Sequence, residues 1–406
     1  MGASTCISCG AAALRPVMSL GTTPLANALL TEEHLSAPEG KFPLDLAFCE
    51  RCALVQITES VPPEKLFSDY AYFSSFSDTI VAAAKVLAVR LVSDRGLGTG
   101  SLVIELASND GYLLQHYAAA GIPVLGIEPA ANIAKVANER GIRTRSEFFG
   151  LECARRLVAE GLSADVVHAN NVLAHVPDLN GFVAGIAAVL KPGGVAVIEA
   201  PYVREMIEKC EFDTIYHEHL CYFSVSALVP LFVRHGLVLA DIERIPVHGG
   251  SLRLFASKSG AQGTAVDALI GEERAVGMLG IDYYAGFADR VAGLRTELLA
   301  LLARFKAEGR RIAAYGASAK GSTLLNYFCI GRETLDYVVD RSTEKQGRFT
   351  PGTRLPILAP AHLATDKPDY LLLLSWNFLD EVLAQQAAYR AAGGKFIVPV
   401  PDVRVV

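Results

Sequence analysis

VIELASNDGYLLQHY, residues 103–117, couples a short apolar run to a Ser-Asn-Asp-Gly loop and then to a helical pattern. An apolar run of this length, bounded by loop residues, predicts a strand buried on both faces. The alternation continues on either side of residue 117. SLVIEL (101–106) reads as a strand, LLQHYAAAG (113–121) as a helix ending at Gly121, PVLGIE (123–128) as a strand and NIAKVANERG (132–141) as a helix ending at Gly141. DVVHANNVLAHV (165–176) reads as a strand running into a loop. Strands and helices in this order predict an α/β, doubly wound parallel sheet over residues 76–260.

In such a sheet a ligand sits beyond the carboxyl ends of the strands, where the strand order reverses. That directs attention to Glu105, Ser108, Asn109, Asp110 and Gly111 in the first loop, to Glu128 and Pro129 after the second strand, and to Asn170 and Asn171 leading to His175. Ser108, Asn109 and Gly111 permit close backbone approach to a ligand at a helix N-terminus. The three-glycine dinucleotide fingerprint is missing, so a pyrophosphate is not the expected guest. Glu128 is placed where a carboxylate accepts both hydroxyls of a ribose. A ribose without a pyrophosphate points to S-adenosylmethionine (SAM).

Two cysteine pairs precede this segment, Cys6-x2-Cys9 and Cys49-x2-Cys52. Two such turns bring four thiolates to one tetrahedral ion with no open position, which predicts a structural zinc. Their separation exceeds that of the common zinc ribbons, but loop closure costs only slowly more as a loop lengthens. Cys153, Cys210, Cys221 and Cys329 are expected to pack as small hydrophobes. The 406 residues, 51% hydrophobic and 20% charged, are enough for two or three domains with their own cores. A net charge of −6 argues against sequence-independent nucleic-acid binding, an RNA-guiding zinc module included. MGASTCISCG lacks a cationic segment followed by an apolar one, and no run is long enough for a membrane span, so the chain is expected to be soluble and cytoplasmic.

After a helical connector over 264–308, RRIAAYGASAKGSTLLNYF (310–328) gives strand, glycine-rich loop and helix, followed by the strands LDYVVD, DYLLLLS and KFIVPVP. This predicts a second, smaller α/β unit. Its loop is superficially P-loop-like, but Gly321 is followed by Ser where that motif needs Lys, so ATP hydrolysis is not supported. Ser318 and Lys320 at the helix N-terminus are candidates to hold a diphosphate, and Asp340 is placed as a ribose-binding acid. HGGSLRLF (248–255) is expected to line the same cleft through His248, Ser251 and Arg253.

VLKPGGVAVIEAPY (189–202) reads as a helix end, a Pro-Gly-Gly turn and a buried strand, and it resembles a segment of class I methyltransferases. EFDTIYHEHLCYFS (211–224), NNVLAHV (170–176), SDYAYFSS (68–75) and the two CxxC pairs resemble, in the same order, the SAM-dependent C-methyltransferases that act on TDP-4-keto-deoxysugars. The resemblance covers the whole chain. It implies a zinc-binding domain over 1–75, a class I SAM domain over 76–260 and a Rossmann-like nucleotide-sugar domain over 261–406. It implies a small-molecule TDP-sugar as partner; with no nucleic acid or membrane partner expected from charge and hydropathy, the enzyme is expected to be monomeric or weakly associated.

Methylation of carbon needs a carbanion equivalent, and a proton next to a ketone can be removed if the enolate oxygen is stabilised. The resemblance gives the base to His219, with Tyr216 as the competing candidate and Glu218 behind as orienting group or proton acceptor. It makes His175 a donor to the enolate oxygen, Tyr70 a wall of the site supplied by the zinc domain, and Tyr222 a substrate neighbour. His217 and His219 are two apart rather than the four of a helical zinc motif, so a catalytic metal is not expected. C3 and C5 both neighbour a C4 ketone. C3 is favoured by the resemblance, and another ketone-bearing metabolite is the alternative acceptor.

Overall fold

A strand that is buried on both faces needs apolar residues on both, and the VIEL run meets that demand: all four of its residues are buried in the computed structural model. The structure describes residues 5–62, 66 and 73–406. Three sheets organise them.

The N-terminal sheet is antiparallel and contains β1 (Leu14–Pro24), β2 (Lys41–Cys49) and β3 (Val55–Ile57). The central sheet contains β4 (Val103–Leu106), β5 (Val124–Ile127), β6 (Thr144–Arg145), β7 (Ala164–Asn170) and β8 (Leu190–Pro201). A two-residue strand, β9 (Cys221–Tyr222), leaves this domain and pairs with β3 as the fourth strand of the N-terminal sheet. β10 (Val238–Ile245) and β11 (Ser251–Ser257) return to the central sheet, whose order is β10-β11-β8-β7-β4-β5-β6. β4 to β8 pair in parallel and β11 runs antiparallel to β8. Strand order reverses beside β4, so the crevice lies beyond the ends of β4 and β7.

The helices on this sheet cover two distinct faces. α1 (Asp78–Arg95) starts on a Ser77 cap, ends on left-handed Gly96, and packs with α2 (Leu114–Ala119) over Val103, Val166, Val195 and Val197. The opposite face, with Ile104, Val167 and Ile198, packs against α4 (Leu151–Ala159), α5 (Leu179–Val189) and α7 (Val225–Arg234), while α3 (Ala131–Glu139) and α6 (Val203–Glu208) follow β5 and β8. The Pro-Gly-Gly turn expected at 192–194 is instead part of β8, with a register shift against β7 and Gly193 at φ +76°. A bulge absorbs the residues that a free turn would have spent.

α8 (Thr264–Ala275) and α9 (Phe287–Ala307) form the expected helical stretch. The last sheet contains β12 (Ile312–Tyr315), β13 (Val338–Val339), β14 (Ile357–Leu358), β15 (Tyr370–Leu373), β16 (Lys395–Val398) and β17 (Arg404–Val405), in the order β14-β13-β12-β15-β16-β17. It is parallel except for β17, and α10 (Ala319–Phe328) follows its first loop. Of the remaining cysteines, Cys153 and Cys221 are buried as expected, Cys210 is half-buried, and Cys329 is exposed at the left-handed end of α10. Among the described residues, no helix is long and apolar enough to cross a membrane.

Candidate active site

The four cysteines of the two pairs converge, with ligand atoms all within 4.8 Å of one another. Cys6 Sγ lies 3.5 Å from Cys52 Sγ, and Cys9 Sγ lies 3.7 Å from Cys49 Sγ. Zinc–sulfur bonds of about 2.3 Å place tetrahedral sulfurs roughly 3.8 Å apart, so the set fits the ion. The two turns are built alike. Gly10 N–H donates to Cys6 O and Ala53 N–H to Cys49 O, and both donors are left-handed, at φ +71° and +59°. Thus the thiolates form a closed, structural zinc site.

In the central crevice the loop 107–111 alternates left-handed residues, with Ala107 at φ +50°, Asn109 at +49° and Gly111 at +81°. This turns Asn109 N–H onto Glu128 Oε2 at 2.9 Å, while Ala130 N–H donates to Oε1 at 2.9 Å. Burial nevertheless pushes the Glu128 carboxyl up to about 7. Burial, and then the neighbouring Glu128, push Glu105 well above the usual carboxylate range. Gly126 lies directly under Ser108, because a Cβ there would meet Ser108 Oγ at 2.3 Å. No local sequence signal marks that requirement.

Asp110 departs from the sequence expectation. Its Oδ2 is held by Arg140 at 2.8 Å and by Ser75, so half of the carboxylate is committed to fixing the loop. Asn109 likewise spends its side-chain oxygen on Ser74 N–H, and Pro129 contributes only a carbonyl, to Ser146 Oγ at 3.5 Å. What stays open is a set of acceptors. Among the described residues, Glu105 Oε2, Ser108 Oγ, Asp110 Oδ1, Asn170 Oδ1 and Asn171 Oδ1 are buried without a hydrogen-bond partner. A recess beside them is lined by Ile80, Ala84, Tyr112, Asn170, Asn171 and Glu199. An acceptor-rich crevice with an apolar wall fits a cationic sulfonium and ammonium carried with ribose hydroxyls, as in SAM.

The YHEH segment follows a 3-10 turn at Phe212–Thr214. His219 Nδ1 lies 2.8 Å from the Thr214 carbonyl, which can only accept, so Nδ1 carries the proton. Its Nε2 therefore presents a lone pair, 2.7 Å from the Tyr216 hydroxyl. Thr214 takes the orienting position expected of Glu218, whose carboxylate instead faces Asn27 Nδ2 at 2.8 and 2.9 Å. The His175 ring lies edge-on to His219 at 4.7 Å, and burial lowers its pKa to about 4. His217 is structural, with Nε2 3.0 Å from the Pro43 carbonyl. Tyr222 is buried and donates to Thr214 O at 3.3 Å, so it supports the segment from below rather than facing a substrate. Tyr70 lies outside the described residues.

Several expected nucleotide-sugar contacts are committed elsewhere. Arg253 Nε bonds Glu199 at 2.7 Å and its Nη1 bonds Glu243 at 3.1 Å, an ion network within the sheet. Ser251 Oγ donates to Val247 O at 2.9 Å. Lys320 lies over the Trp376 ring at 4.5 Å beside the buried Asp213 and Glu211, and burial lowers its pKa. Ser318 Oγ caps α10 by accepting Gly321 N–H at 3.0 Å. Asp340 accepts Ala317 N–H at 2.7 Å and Ser342 N–H at 2.8 Å, which repeats the arrangement at Glu128. His248 lies in the 3-10 turn Val247–Gly249. Asn27 and Trp376 are additions that no motif marked, and Asp213 and Thr214 lie inside EFDTIYHEHLCYFS without having been singled out there.

A doubly wound sheet with this crevice, a closed four-cysteine site and a Tyr-His pair at the crevice defines a SAM-dependent methyltransferase. Residues 82–242 match the family described as "Methyltransferase domain", residues 246–401 the "C-methyltransferase C-terminal domain", and residues 6–67 the "Putative zinc binding domain". The chain is 37% identical over 404 residues to the C-methyltransferase NovU of Streptomyces niveus, covering 99% of this chain and 96% of that one. It is 28% identical over 196 residues to a ubiquinone biosynthesis O-methyltransferase of Burkholderia thailandensis, covering 44% of this chain and 80% of that one. A magnesium protoporphyrin IX methyltransferase from Synechocystis PCC 6803, solved with SAM, aligns at 16% identity and a TM-score of 0.34, covering 44% of this chain and 79% of that one. The chain belongs to the SAM-dependent C-methyltransferase family, with a zinc-binding N-terminal domain and a C-methyltransferase C-terminal domain.

Proposed function

We propose that this enzyme C-methylates a TDP-4-keto-deoxysugar at C3, by removing the proton next to the ketone and directing the resulting enolate to the methyl donor. The observation that carries the reading is the tautomer of His219: the Thr214 carbonyl places the proton on Nδ1 and leaves Nε2 as a base paired to Tyr216. Either Tyr216 takes the substrate proton and passes its own to Nε2, or Nε2 takes it directly. Both routes end on His219, with charge developing on a ring held by a carbonyl acceptor. His175, kept neutral by burial, is a hydrogen-bond donor suited to the enolate oxygen. Glu218 stands behind as a further acceptor, and the resemblance keeps Tyr70 as a further candidate residue.

SAM, when bound, supplies an electrophilic methyl group. Glu128 would accept its ribose hydroxyls, and Glu105, Asn170 and Asn171 offer acceptors to its ammonium, with Ser108, Asp110, Gly111 and Pro129 shaping the loop. The TDP part would lie on the C-terminal unit near Ser318, Asp340 and His248, with the units divided as 1–75, 76–260 and 261–406 in a cytoplasmic monomer. NovU's name as a C-methyltransferase and the whole-chain match support carbon as the acceptor. The test is incubation in deuterated water with SAM and a TDP-4-keto-deoxysugar. Uptake of deuterium and a new methyl group at one carbon are expected, both reduced about 10²- to 10⁴-fold in His219→Ala. Absence of uptake and of methylated sugar with the native enzyme would discard this acceptor.

A further inference from the structure

The contact between Asn27 and Glu218 links residues 191 positions apart, from the N-terminal sheet to the YHEH segment. Asn27 follows the end of β1 in a tight turn in which Ala28 N–H donates to Leu25 O and Leu29 N–H to Asn27 O. Its Nδ2 reaches both oxygens of Glu218, at 2.8 and 2.9 Å, and Glu218 is buried at 3% exposure. A buried carboxylate must find donors, and a carboxamide supplies them while neither cancelling a charge nor donating a proton outright.

The consequence runs along the backbone. Glu218 immediately precedes His219, whose Nε2 lies 2.7 Å from the Tyr216 hydroxyl and whose ring stands edge-on to His175 at 4.7 Å. The same stretch is stitched to the N-terminal sheet in two more places. His217 Nε2 lies 3.0 Å from Pro43 O, and Cys221 and Tyr222 pair with Gln56 and Val55 in β3. The zinc-bearing sheet therefore grips the segment before and after His219, and Asn27 grips it immediately beside His219.

We propose that Asn27 is a positioning residue for carbon methylation, holding Glu218 so that the His175 and His219 rings meet in the arrangement that removes the substrate proton. The inference rests on the reading of His175, Tyr216 and His219 as the proton-transfer site. Asn27 does not touch the reacting atoms in this role. It acts through Glu218.

Asn27→Ala and the near-isosteric Asn27→Asp are compared with Glu218→Ala and with the double variant Asn27→Ala/Glu218→Ala. Zinc content, SAM affinity, KM, kcat and the rate of deuterium wash-in to a TDP-4-keto-deoxysugar are measured for each. Asn27→Ala is expected to keep its zinc and its SAM affinity within about twofold while kcat and wash-in fall together about 10- to 100-fold and KM changes little. The double variant is expected to be no slower than Glu218→Ala by more than about twofold, because both substitutions remove one interaction. Should Asn27→Ala fold poorly, Asn27→Asp keeps the volume and sets carboxylate against carboxylate, so the same loss at full zinc content is expected of it. Wash-in within about twofold of native in a zinc-replete Asn27 variant, losses that multiply in the double variant, or loss of zinc as the whole effect would each overturn the proposal. Native wash-in in His219→Ala would instead show that the proton-transfer reading has failed, and the role of Asn27 with it.

Discussion

Glu128 shows what a single buried carboxyl can dictate. Its two backbone donors favour the charged form, yet burial outweighs them and raises it to about 7. Ribose hydroxyls donating to it would favour the ionised form, so SAM binding should release a proton and strengthen as pH rises. With the carboxyl ionised mainly above that value, affinity is expected to increase roughly tenfold from about pH 6 to about pH 8. Calorimetry across this range should show the rise, and Glu128→Gln should flatten it. At this scale the sequence offered the residue types in YHEH and the acid after the second strand as candidates, because catalysis and ribose binding need particular functional groups. Their partners were not legible: Thr214 acts through a backbone carbonyl that any residue carries, and Arg253 is spent on Glu199, which only folding brings near.

The elements repeat a small number of devices. Both CxxC turns close through an N–H from a left-handed residue, and both β-loop-α units fasten their first loop to an acid at the next strand's end. Since β3 carries β9 on its edge, removing zinc should loosen more than the cysteine loops. Chelation is expected to speed hydrogen exchange at the amides of Cys221 and Tyr222 as well as in β2 and β3, followed by mass spectrometry. In the crevice loop, Gly111 sits at φ +81° with Ile142 Cγ1 only 2.9 Å from where a Cβ would lie. Gly111→Ala should cost about 1–3 kcal/mol from strain and crowding, read as a lower melting temperature. The strands and helices around that loop were legible from apolar periodicity and glycine punctuation. The Pro-Gly-Gly bulge in β8 was not, since the same three residues suit a turn until a neighbouring strand pairs through them.

Across the whole molecule the C-terminal unit is joined to the methyltransferase sheet close to the YHEH segment. Trp376 Nε1 donates to the buried Asp213 Oδ2 at 2.7 Å, and Thr323 Oγ1 donates to the Ile215 carbonyl at 3.3 Å. Asp213 immediately precedes Thr214, the residue that sets the His219 tautomer. Trp376→Phe keeps the ring and removes the donor, leaving a buried carboxyl short of a partner. It should cost about 1–3 kcal/mol in thermal or urea unfolding and should lower kcat more than SAM affinity. Composition, periodicity and motif spacing were sufficient for the three-part order, the doubly wound sheet and the four metal thiolates, because each depends on local pattern or side-chain chemistry, whereas the proton-transfer candidates came from the resemblance. The lending of β9 to the N-terminal sheet, the hold of Asn27 on Glu218 and the bond of Trp376 to Asp213 depend on contacts between residues far apart in the chain, 191 positions for Asn27 and Glu218, or on a two-residue strand with no period to read. Such contacts form only when separate cores have packed together, and the free energy that selects them is a property of the assembled interior.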